Sequence, residues 1–105
     1  MATSTIHKSI WKAVVAGAIT QNGTYASLVD LNSIENVRVA LMVSGTFRQT
    51  AIFSIAEVKA NLAFPDFQFA GTVRNYCAVK ISGNNIVISD LSIGLAGSSF
   101  VITGC

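Results

Sequence analysis

The carboxylates of this 105-residue chain are Asp30, Glu35, Glu57, Asp66 and Asp90, and its single histidine is His7. Such groups do chemistry as a carboxylate pair flanking a scissile bond, or as a histidine activating a serine or cysteine. The five acids fall in different segments, and no two lie within four residues of each other. A fold could still bring two together, but the pattern does not require it. His7 sits in "ATSTIHKS", the most polar part of the chain, where a solvated tail residue is expected rather than a base. Cys77 and Cys105 supply neither a disulfide framework nor metal-ligand spacing. A zinc site built from both and His7 would still lack a fourth ligand. The Gly-rich "SIGLAGSS" has no lysine and no strand-to-helix context, so it is not a phosphate loop. "NGT" at 22–24 matches a glycosylation acceptor, but on a hairpin tip it carries little weight. These residues predict a protein that is not an enzyme and uses no metal or cofactor.

The side chains better suited to binding are aromatic and cationic. Trp11 is the only tryptophan and could serve as a platform for a sugar, although large aromatics usually act through buried area in a core or interface. Phe64, Phe67 and Phe69 stand around Pro65 in "FPDFQF". They are expected to cap the core, to bury between subunits or to bind something, in that order. Tyr25 and Tyr76 fall on strands beside polar neighbours. Period-two alternation puts Arg74, Tyr76 and Lys80 on one face, opposite Cys77, Val73, Val79 and Ile81. That face is either an ordinary solvated surface or a recognition surface. Trp11, Tyr25, Arg74, Tyr76 and Lys80 are the candidate ligand-binding residues.

The elements that must position them read as all-β. "SIWKAVVAGAI" (9–19) is β-prone, and Asn22-Gly23 predicts a hairpin to "TYASLVD" (24–30). "VRVALMV" (37–43) alternates Val37, Val39, Leu41 and Val43 against Arg38, Ala40 and Met42, and "QTAIFSI" (49–55) returns with Ala51, Phe53 and Ile55 on one face. Residues 56–71 form the one irregular stretch: "AEVKANL" allows a helical turn or two, and Pro65 stops regular structure. "TVRNYCAVKI" (72–81) and "IVISD" (86–90) flank "SGNN", where Gly83-Asn84 or Asn84-Asn85 is expected in left-handed backbone. A Gly-rich connection (91–99) leads to a last strand, "FVITG" (100–104). The spacing predicts a small antiparallel β-sandwich of about seven or eight short strands: a flexible tail over 1–8 and a single domain over 9–105.

Composition limits the partners. Apolar residues make up 51% of the chain and charged residues 11%, where a soluble domain carries roughly a quarter charged. Several strands are apolar on both faces, as at Ala40 and Met42 behind Val39 and Leu41, or Ile52 behind Phe53. A sandwich has one interior, so the second apolar face predicts a homo-oligomer. The net charge is +2 and the basic residues are scattered, which predicts no nucleic-acid partner. The run "AVVAGAI" has seven residues against the roughly 20 needed to span a bilayer, so no membrane insertion is expected.

Trp11 to Ala13, the "NGT" at Asn22 to Thr24, Val37 to Gly45, Arg48 to Thr50, Tyr76 to Ile88 and Gly97 to Gly104 form a set of hairpin signatures. Together they resemble the C-terminal tip domains of phage and prophage tail fibres. The similarity covers most of the chain. It implies a small sandwich knob, usually a homotrimer, that contacts a bacterial surface receptor such as a glycan, and hence a place in the virion. Family tips often run a few residues past the "ITG" and follow a fibrous shaft. The expected setting is therefore a tip separated from its shaft, or a stand-alone protein of similar fold. The alternative is a small secreted lectin or an adhesin- or pilin-like module, which would be extracellular.

Overall fold

Two four-stranded antiparallel sheets packed face to face form the chain in a computed structural model that describes residues 10–69 and 72–105. The expected tail over 1–8, with His7, lies outside the described residues. The strands are β1 (Lys12–Ala13), β2 (Gly23–Ala26), β3 (Asn36–Val43), β4 (Thr46–Ser54), β5 (Asp66–Phe69), β6 (Val73–Ser82), β7 (Asn85–Ile93) and β8 (Ser98–Gly104), with one helix, α1 (Ile55–Lys59). One sheet runs β1-β8-β3-β4 and the other β2-β7-β6-β5. This is the expected β-sandwich. No helix among the described residues is long and apolar enough to cross a membrane.

Alternation decides which side of each strand is buried. Val37, Val39 and Leu41 of β3 and Phe100 and Ile102 of β8 point inward from the first sheet; Cys77 and Val79 of β6 and Ile86 and Ile88 of β7 do so from the second. Phe67 meets Phe100 between the sheets, with ring centroids 6.1 Å apart. Helix α1 closes one end of this core with Val58. It starts on a capping box, in which the Ser54 hydroxyl accepts from the Glu57 N–H and the Glu57 carboxylate accepts from the Ser54 N–H.

Three sequence expectations change. The Asn22-Gly23 hairpin does not form, because β1 pairs with β8 while β2 pairs with β7 in the other sheet. After Ala13 the chain buries two consecutive residues, Val14 and Val15, whose N–H groups both donate to the Ile102 carbonyl. That breaks the alternation; Gly17 takes positive φ (75°), Ile19 returns to β8 opposite Phe100, and only beyond it does the chain cross to the second sheet. Asn22 is used as a tie, its side-chain oxygen accepting from the Leu91 N–H at 2.9 Å. Second, the stretch expected to be irregular contains β5, since "DFQF" finds a partner in β6. Third, β7 runs on to Ile93 and β8 begins at Ser98, which shortens the Gly-rich connection.

The 82–85 turn is a two-residue hairpin loop in which only Gly83 takes positive φ (60°). Asn84 serves instead through its side chain: its oxygen accepts from the Leu31 N–H at 2.8 Å and its amide donates to the Val29 carbonyl at 3.1 Å. Leu31 is 2% exposed, so its N–H has no water to turn to. Replacing Asn84 by alanine strands that donor and should lower unfolding free energy by about 1–3 kcal/mol, read by chemical denaturation.

Candidate ligand-binding surface

Each sheet turns its other side outward, and the two outer faces differ. On the first sheet the outward residues of β3, β4 and β8 are Arg38, Ala40 and Met42, then Phe47, Thr50 and Ile52, then Ser99, Val101 and Thr103. Phe47 and Ile52 are 61% and 57% exposed. Arg38, Ala40, Phe47, Thr50, Val101 and Thr103 line a shallow groove of about 250 Å³. Arg38 donates to the Thr103 hydroxyl at 3.2 Å, and its guanidinium lies 4.4 Å from the centroid of the Trp11 ring. Trp11 therefore belongs to this apolar face, half-buried beneath a cation.

On the second sheet β6 turns Arg74, Tyr76 and Lys80 outward, as alternation predicted, with Asp66 of β5 directly across from Tyr76. Asp66 accepts from Arg74 through both carboxylate oxygens, Nε lying 3.2 Å from each while Nη2 reaches Oδ2. This is the one ion pair among the described residues. Hydrogen bonding to Asp66 holds the Arg74 guanidinium above its ordinary pKa. The same guanidinium lies 4.6 Å from the Tyr76 ring centroid, and the Tyr76 ring is 5.5 Å from that of Phe64. Phe64, Asp66, Arg74 and Tyr76 thus form one aromatic and charged cluster.

The five candidate residues accordingly fall in three places. Arg74 and Tyr76 touch each other. Lys80 shares their face but stands four residues further along the strand. Tyr25 pairs with the inward-facing Ile86, packs against the core and donates its hydroxyl to the Gln21 carbonyl at 2.6 Å. Trp11 is on the other sheet. The sequence reading passed over Asp66 and Phe64 as members of this cluster. The signal was present in "DFQFAGTVR": read as a tight hairpin, it brings Asp66 close to Arg74.

A second depression, about 380 Å³, opens beside Cys105 and is lined by Ile10, Lys12, Val29, Ser33, Ile34, Gly104 and Cys105. Among the described residues no three His, Cys, Asp or Glu side chains converge to hold a metal. No family model matches the chain, and no curated protein or solved structure matches it either.

Directly behind the cluster, Cys77 is fully buried on the inner side of β6, and burial pushes its thiol up to about 12. The raised value sets a pH window. In the unfolded chain the thiol loses its proton near 9.0, while in the folded chain it keeps it until about 12. The Cys77 contribution is thus whole below pH 9 and lost as pH rises towards 12, at about 1.4 kcal/mol per pH unit. A Cys77→Ala variant should lack this component of the alkaline decline. In the native protein at pH 8 a thiol reagent should modify Cys105 and spare Cys77; fast modification of both would contradict the burial.

Proposed function

We propose that this chain is a non-enzymatic receptor-binding knob of the phage tail-fibre tip kind, working as a homo-oligomer that recognises a bacterial surface receptor such as a glycan. The observation that carries the reading is the contrast between the two outer faces. The first sheet presents Met42, Phe47, Ile52 and Val101 with little charge, which suits burial against other copies. Contiguous apolar patches beyond a few hundred Å² are rare on monomers, whereas obligate interfaces commonly bury on the order of 2,000 Å² or more. The second sheet presents an aromatic and ionic surface that suits a wet, polar ligand. Three copies rather than two follows from the fibre resemblance alone, as does a place in the virion.

Light scattering of the purified chain tests the assembly. A stable species of three times the monomer mass is expected, and paired Ile52→Glu and Val101→Glu changes should release monomers, because they place unpaired charge in the interface. A monomer at all dilutions would favour the small secreted lectin instead. Binding is tested with fluorescently labelled chain on a panel of bacterial envelopes, before and after enzymatic removal of surface polysaccharide. Retention lost on stripping is expected; no retention on any envelope would defeat the receptor reading.

A further inference from the structure

We infer that Phe64, Tyr76, Asp66 and Arg74 form a subsite for one uncharged pyranose ring, an inference that rests on the receptor-binding reading and names the ligand class of its site. Phe64 is 44% exposed between two buried neighbours, Ala63 and Pro65. The backbone on both sides is fixed, since the Val79 N–H donates to the Ala63 carbonyl at 3.0 Å and the Cys77 N–H to the Pro65 carbonyl at 3.2 Å. An apolar ring is thereby held out towards solvent by a segment that cannot easily fold it away. Such a ring costs little further entropy when a ligand covers it.

The shape and chemistry fit a sugar. The Phe64 and Tyr76 rings are tilted 34° to each other with centroids 5.5 Å apart, and the Arg74 guanidinium lies over the Tyr76 ring, which leaves the exposed Phe64 ring as the apolar platform. The C–H face of a pyranose can lie on such a surface while its hydroxyls reach the rim. At the rim Asp66 offers carboxylate lone pairs and Arg74 offers guanidinium N–H groups not directed at Asp66, a donor and acceptor side by side as a vicinal diol requires.

Charge selects the class of sugar. The one cation in contact with the rings is already paired with Asp66, so an anionic sugar would have to break that pair and face the freed carboxylate. Lys80 stands two residues beyond the level of Phe64, which lies across from Ala78, so it borders the Phe64 end of the subsite; the Asp66 carboxylate borders the other end and disfavours an anion seated on the rings.

The test is an amide chemical-shift titration of the isotopically labelled full chain with methyl glycosides of glucose, galactose, mannose and N-acetylglucosamine. N-acetylneuraminic acid, glucuronic acid and inorganic phosphate form the anionic arm. Saturable shifts confined to residues 64–66 and 74–77 are expected with at least one neutral glycoside. They should weaken about tenfold or more in Phe64→Ala and Asp66→Asn, and survive in Phe64→Trp. Both positions face solvent, so unchanged spectra elsewhere will show that the variants fold. The subsite is overturned if no neutral glycoside moves these amides, if the shifts persist in Phe64→Ala, or if the anions move them more. Envelope binding that survives Phe64→Ala would also remove the subsite and leave the receptor reading standing. Glycoside shifts without envelope binding would do the reverse.

Discussion

Phe100 is fully buried on β8, and its surroundings fix the rest of the sandwich. Its backbone exchanges two hydrogen bonds with Ile19, at 2.8 and 2.9 Å, which pins the segment crossing from the first sheet to the second. Its ring reaches Phe67 of the opposite sheet. Because side chains alternate along a strand, holding Phe67 inward obliges Asp66 and Gln68 to point outward. Asp66 then lies across from Tyr76 and within reach of Arg74. The surface cluster is thus a consequence of core packing two residue layers below it. Its geometry is set by strands rather than by a loop free to rearrange, and sites on such elements hold their groups more tightly.

The parts of the fold that could be read in the sequence are those whose partners are near in the chain. β3 with β4 and β6 with β7 are hairpins with Gly-containing turns, and apart from one bulge in each pair their facing followed directly from period two. β1 and β2 are short, and their partners lie some sixty to ninety residues away in β7 and β8, so local signals favoured a hairpin that tertiary pairing overrode. The same limit acted on the site. Arg74, Tyr76 and Lys80 share a long strand and were legible together, whereas Tyr25 belongs to a four-residue strand whose alternation is too short to reveal its inward phase. Asp66 stayed hidden because Pro65 was read as ending regular structure, when it instead immediately precedes β5.

Few charges are available, and their distribution explains why the faces differ. Among the outward residues paired across β3, β4 and β8, Arg38 is the one charged side chain, and it lies over the Trp11 ring. The bulge that leaves Arg48 without a partner in β3 lies at the end of that face. The second sheet carries Asp66, Arg74 and Lys80 across two adjacent strands. Both sheets bury similar interiors, so the interior does not produce this asymmetry. It comes from the outward-facing set of residues alone, which folding leaves largely free.

That freedom separates binding from folding on the second sheet, but only for side chains. The Arg74–Asp66 pair is exposed, and exposed ion pairs contribute little to stability, so either side chain can change while the sandwich persists. The backbone beneath has no such latitude. Gly94 donates to the Arg74 carbonyl at 3.0 Å, and a Cβ at Gly94 would collide with that oxygen. The fully buried Asn75 fixes the same approach from the other side, its oxygen accepting from the Gly94 and Leu95 N–H groups at 3.0 and 3.2 Å. Arg74 is therefore presented near the start of an interior strand clamped at one glycine and one asparagine. Changing what the guanidinium meets is a surface substitution, whereas moving the guanidinium requires unpacking the end of β7.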